Sequence, residues 1–189
     1  MEIASSFVLP SPPDEAYRAL LDIERVAPCV PGGELGPRES DGTYPAKMTV
    51  KLGPMRLVYT GVLRVAEHEE AIRRAVLHAK ASAAGGQGTV DATMTMLVTP
   101  NGTGSHVAVQ TELALTGRAA KLGRGLVDDV ARRVVADMAA CMERKLADAA
   151  PAAPGAEPRE TPRPSPSVVT LLARVLLGRL RNFGRKGQR

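Results

Sequence analysis

The chain has 189 residues, 44% of them apolar, enough for one buried core with chain to spare. Its net charge of +5 is uneven: seven basic residues and no acidic one fall between 161 and 189, which leaves residues 1–160 at −2 and argues against a basic nucleic-acid-binding body. The two cysteines give no disulfide framework and no metal-ligand spacing, and the N-terminus has no basic region ahead of an apolar run, so neither a cystine-stapled fold nor a signal peptide is expected.

Glu2 to Leu9 alternates as a strand does, and Pro10, Pro12 and Pro13 end it. Pro13-Asp14-Glu15 opens a short helix to about Leu21, with proline and acids where a helix N-terminus favours them. A second short helix is predicted over Ile23 to Ala27, stopped by Pro28, Pro31, Gly32 and Gly33. Strands follow at Tyr44 to Leu52, Met55 to Val65, Ile72 to Ala81 and Val90 to Val98, with a last one carrying Val107 to Leu115. Gly53-Pro54, Gly85 to Gly88 and Asn101-Gly102 supply the turns. Then the period changes. From Ala119 to Ala150, Leu122, Leu126, Val130, Val134, Met138, Cys141, Met142 and Leu146 recur as the stripe of one long amphipathic helix. Asp128 with Arg132 and Asp129 with Arg133 are expected as ion pairs on its outer side.

These elements make an α+β body in which the long helix must bury its stripe against the concave face of a curved antiparallel sheet. Such a grip often leaves an apolar space. Met48, Tyr59, Met94, Met96, Val109, Leu113, Leu126, Val130, Val134 and Met138 are the residues expected to face it. With only 3% aromatics and seven Met, the lining is aliphatic and adaptable. Whether that space is hollow or filled by these side chains stays open at this point.

Residues 149–166 read as a Pro/Ala-rich, semi-rigid linker. Beyond it, residues 167–189 read as a basic amphipathic helix. Val168, Val169, Leu171, Leu172, Val175, Leu176, Leu180 and Phe183 share about half of a helical wheel, with Arg174 and Arg181 opposite and Arg185 and Lys186 beyond. Val168 to Leu180 is broken by Arg174 and Arg179 and is shorter than the ~20 residues of a spanning helix, so it is expected to lie in a membrane interface. Arg179 lands on the apolar side and has to snorkel. The alternative is a helix that folds back onto the body or docks on a partner protein.

Other reactive residue types carry less. His68, His78 and His106 are scattered with no carboxylate or Cys at ligand spacing, so no metal site is expected. Cys29 reads as a buried structural thiol, and Gly85 to Gly88 opens no helix, so it is no phosphate loop. No catalytic residues are assigned.

The strings "DIERVAPCVPGGEL" (22–35), "KLGP" (51–54), "YTG" (59–61), "GQGT" (86–89) and "GRAAKLGRG" (117–125) run in order across residues 1–148. On these motifs the chain resembles the CoxG family of carbon monoxide dehydrogenase subunits, within the START-like, or SRPBCC, helix-grip superfamily. Gly33 stands where the family often has Ala, and Ala120-Lys121 where a Gln-Phe-like pair is common. The resemblance implies a START-like domain over 1–148 and a non-enzymatic accessory protein of a molybdenum hydroxylase of the CO dehydrogenase type. It implies a cytoplasmic protein, peripheral on the inner face of the cell membrane, that brings the enzyme to the respiratory chain. The sharper expectation is a carried ligand, a respiratory quinone such as menaquinone or ubiquinone or another isoprenoid lipid, with no covalent cofactor. Two alternatives are a docking adaptor with a filled core and a cyclase-type enzyme.

Overall fold

Two-residue alternation in six segments, joined by one three-residue strand, builds one antiparallel sheet, and a change to helical period at its end supplies the element that the sheet wraps. The computed structural model describes residues 1–52 and 55–149. Strand β1 (Glu2–Leu9) leads into helices α1 (Pro13–Leu21) and α2 (Ile23–Val26) and a 3₁₀ turn (Ala27–Cys29). Strands β2 (Gly33–Leu35), β3 (Tyr44–Leu52), β4 (Met55–Glu69), β5 (Arg74–Ala83), β6 (Thr89–Asn101) and β7 (Gly104–Leu115) follow. A short helix α3 (Gly117–Ala120) precedes α4 (Arg124–Ala149). The sheet order is β1-β7-β6-β5-β4-β3-β2, so the first strand returns to pair with the last. This is the curled half-barrel of the helix-grip architecture, with α4 as the gripped helix.

Most predicted elements stand where the sequence placed them, and the differences have local causes. β2 is three residues long, too short for alternation to show, and is fixed by pairing with Ala46 to Met48. β4 runs on to Glu69 because a bulge between Val65 and Glu67 lets it continue in shifted register. The predicted helix over 119–150 is interrupted. Lys121 to Gly123 breaks it, and Gly123 takes φ +80°, so α3 and α4 are separate helices. The predicted ion pairs Asp128–Arg132 and Asp129–Arg133 do not form; Arg133 instead meets Asp137 at 2.9 Å, one turn onward. The linker at 149–166 lies outside the described residues but for its first position, and the tail at 167–189 and the Gly53-Pro54 turn lie wholly outside them.

The cysteines overturn their expectation. Cys29 and Cys141 form a disulfide, with Cα atoms 5.4 Å apart, rather than standing as thiols. Two cysteines 112 positions apart show no framework spacing; they meet because α4 packs back over the 3₁₀ turn.

The closed core sits at one end of the sheet. Leu9, Val98, Val107, Met142 and Leu146 pack there against Tyr17 and Leu20 of α1. Burying each such aliphatic side chain contributes roughly 1.5–3 kcal/mol. Tyr17 is 2% exposed, and its hydroxyl donates to the Arg74 carbonyl at 2.8 Å, which ties α1 to the β5 edge of that core. Tyr17→Phe is expected to cost about 1–1.5 kcal/mol. Thermal unfolding should show this as a Tm lowered by about 3–6 °C with unchanged cooperativity.

Candidate ligand-binding site

Away from that core the concave face is only partly covered. The register sets residues of neighbouring strands side by side: Tyr44, Leu63, Ala79, Ala92 and Leu113 form one row, and Ala46, Gly61, Ala81, Val90 and Leu115 the next. Alanine and glycine hold the middle of both rows, so the floor is low where a large side chain would otherwise reach α4. Leu63, Leu113, Leu115, Val90 and Met94 stay only half-buried, although alternation turns them toward the helix. A small cluster of Leu57, Tyr59, Ala83 and Ala119, joined by Met48 and Leu122, closes over the end under α3.

A cavity of about 610 Å³ opens between the middle of α4 and strands β2 and β3. Val130 and Val134 line it from the helix, and Met48 and Val50 from the sheet. Pro31, Gly32 and Gly33 form its lip. Gly32 adopts φ +74°, and a Cβ there would collide with the Thr49 carbonyl. Glycine thus lets the lip lie directly on β3, where Thr49 N–H donates to Gly32 O at 2.8 Å. Charged groups ring the opening: Glu34, Lys51, Arg56, Asp129, Arg133 and Asp137. Glu34 is paired with Lys47 at 2.8 Å and Arg133 with Asp137. Such exposed pairs contribute little to stability, so they shape the rim more than they hold the fold.

One polar atom stands out in the apolar surroundings. Tyr59 is 6% exposed, lies across from Met48 on the inner face, and its hydroxyl has no hydrogen-bond partner. Burial pushes the phenol above its ordinary value of 10.0, because the phenolate would lose solvation. It is therefore a neutral O–H donor through the physiological range, held in a place where an unmet donor is costly. A second oxygen, Asp128 Oδ1 on α4, is likewise buried without a partner.

Of the ten residues expected to face a cavity, Met48, Val130 and Val134 line it. Tyr59 is buried in the second cluster, Met94 and Leu113 are half-buried on the concave face, and Val109 packs against the closed core. Met96 and Met138 pack in or against the closed core. Leu126 is 41% exposed; a row of i,i+4 steps drifts about 40° per step around a helix of 3.6 residues per turn, which carries it away from the face that buries Met142. Neither the lip at 31–33 nor the charged rim follows from the sequence pattern. "PGG" at 31–33 is the one signal of the lip, and by itself it reads only as a helix stop. Among the described residues, no group of three or more His, Cys, Asp or Glu is arranged to hold a metal ion, and no helix is long and apolar enough to cross a membrane.

The motif strings meet in space. Arg118 N–H donates to Gln87 O at 3.0 Å, and Thr89 N–H to Thr116 Oγ1 at 2.8 Å, so the 86–89 loop seats the start of α3 above Tyr59.

Solved structures share this architecture. A conserved protein from Geobacillus kaustophilus superposes with a TM-score of 0.69 at 18% identity, covering 78% of this chain and 96% of that one. The protein TTHA0849 from Thermus thermophilus gives 0.60 at 18% identity, covering 80% and 100%. Ara h 8.0201 gives 0.54 at 12% identity, covering 78% and 98%. At these identities the likeness concerns the fold alone. No curated protein matches in sequence. The family model for CoxG, a carbon monoxide dehydrogenase subunit, matches residues 6–147, three-quarters of the chain and nearly all of the gripped-helix body, and the protein belongs to that family.

Proposed function

We propose that the chain is a membrane-recruited carrier that serves a molybdenum-dependent CO dehydrogenase by holding a respiratory quinone, menaquinone or ubiquinone, in the body and resting on the membrane through its basic tail. Family membership implies the accessory role beside a CO dehydrogenase. The single observation that carries the ligand reading is an open apolar cavity whose lining residue Met48 pairs across the strands with Tyr59, a buried phenol without a partner. An isoprenoid chain suits a half-exposed aliphatic floor, and Met48 and Met94 adapt to its methyl branches. Tyr59 donates to a quinone carbonyl, which satisfies the stranded hydroxyl. Val168, Leu171, Leu172, Val175, Leu176, Leu180 and Phe183 enter the interface while Arg174, Arg179, Arg181, Arg185 and Lys186 meet anionic headgroups. The enzyme then finds its electron acceptor at the membrane face, and the carrier itself does no chemistry.

The test is titration of the purified full chain with a short-chain menaquinone, wild type against Tyr59→Phe. Loss of one neutral hydrogen bond weakens binding roughly 3- to 10-fold. The empty protein should be unchanged or slightly more stable, because the deleted hydroxyl has no partner to lose. A Tyr59→Phe variant that is clearly destabilised yet binds as well as wild type contradicts this role. The pH sign follows from the raised phenol: the neutral form's contribution is fully present below 10.0, the unfolded value, and disappears as pH climbs through the higher folded value. Quinone binding is therefore expected to be flat across neutral pH and to fall only in strong alkali.

A further inference from the structure

The Cys29–Cys141 disulfide lies in the closed core and ties the 3₁₀ turn, two residues before the lip, to α4 one turn past the cavity. Cys29 ends the 3₁₀ turn and is 4% exposed; two residues later Pro31 begins the lip. Cys141 lies one helical turn beyond Asp137, the last α4 residue at the cavity, and is the more exposed of the two. Lys145 Nζ donates to the Arg25 carbonyl at 2.9 Å, one further turn along α4, so the α2–3₁₀ segment is pinned to the helix at two successive turns. On the other side the lip hangs on β3 through Thr49 N–H to Gly32 O, and Gly33 N–H turns back to Val30 O at 3.0 Å. The lip is thus strung between a strand and a covalent tie to α4. Of the two pins to the helix, the cystine is the one that chemistry can undo.

We propose that Cys29–Cys141 is a redox-modification site: a latch, opened by a dithiol reductant, that sets how firmly the lip is held to α4 and hence how readily the cavity exchanges its apolar ligand. The inference rests on reading the cavity as the ligand site. The thiolate of a dithiol attacks Cys141 Sγ from the more open side, the S–S bond breaks, and Cys29 Sγ leaves as thiolate and takes a proton. The reductant's second thiol attacks its own sulfur in the mixed disulfide and expels Cys141 Sγ, which is protonated in turn. Two electrons and two protons pass to the protein, and the dithiol becomes a disulfide; an oxidising disulfide reverses the sequence. Opened, the lip keeps its bonds to β3 but loses its covalent hold on the helix, and the gap between Pro31–Gly33 and Val130–Val134 widens.

Hydrogen–deuterium exchange on the full chain, oxidised and after treatment with dithiothreitol, tests this without any ligand. The latch predicts exchange about tenfold faster in residues 29–35 and 129–141, with α1 and β6–β7 unchanged. Equal loosening throughout the body means that the cystine is only a stability staple, and no change, or finding both thiols free in the purified protein, overturns the proposal as well. The Cys29→Ser/Cys141→Ser variant should match the reduced protein and ignore the reductant; should it not fold, reduction of the folded wild type still decides. A second readout is transfer of bound short-chain menaquinone to acceptor vesicles, expected about tenfold faster when reduced. Local loosening without any menaquinone binding would sink the quinone reading and leave the latch standing.

Discussion

Deleting residues 151–189 is expected to move the protein from anionic vesicles to the soluble fraction, lowering the partition coefficient at least about a hundredfold. Seven cations and no acid lie in 161–189, and each near an anionic surface is worth about 1 kcal/mol. Each Leu or Val of the apolar half-wheel adds roughly 1.5–3 kcal/mol when buried. Ordering the segment as a helix opposes this, yet a fraction of the sum exceeds the ~2.7 kcal/mol that a hundredfold change requires. The body, at −2 over residues 1–160, offers nothing comparable. Flotation with vesicles of increasing phosphatidylserine content measures it, and added salt should weaken the full chain's binding by screening the arginines. Continued flotation of the truncated protein would place the membrane contact in the body.

Val134→Glu is expected to lower quinone affinity about a hundredfold while costing the empty protein little. Val134 lines the cavity and is half-buried, so in the empty protein a carboxylate there still reaches water. An isoprenoid ligand would strip that water away, and an ionised carboxylate deprived of solvent and partner costs several kcal/mol. Titration with short-chain menaquinone beside thermal unfolding separates the two effects. Equal loss of stability and affinity would mean that Val134 belongs to a packed core and not to a cavity.

Period carried most of the architecture. The alternation of Ala46, Met48 and Val50 in β3 and of Val90, Ala92, Met94 and Met96 in β6 identifies the inner face without any neighbour in view. What period does not convey is which part of a long helical stripe ends up buried. Leu126 is exposed near the start of α4, whereas Ala139, Met142 and Leu146 toward its other end are buried. Nor does it convey pairing at a distance: the Cys29–Cys141 bond and the contact of Gln87 with Arg118 arise only when the chain closes β7 against β1 and lays α4 across the sheet. The cavity residues were half legible for the same reason. Met48, Val130 and Val134 follow from strand and helix period, whereas the Pro31–Gly33 lip depends on a three-residue strand and a glycine with positive φ.

The proposed carrier role requires that this apolar cavity hold an isoprenoid quinone. Native mass spectrometry of the full chain purified from its own host membranes, followed by solvent extraction of whatever is bound, addresses it most directly. A stoichiometric adduct with the mass of the host's menaquinone or ubiquinone is the predicted result. An empty protein that still binds vesicles through its tail would contradict the carrier and leave recruitment alone.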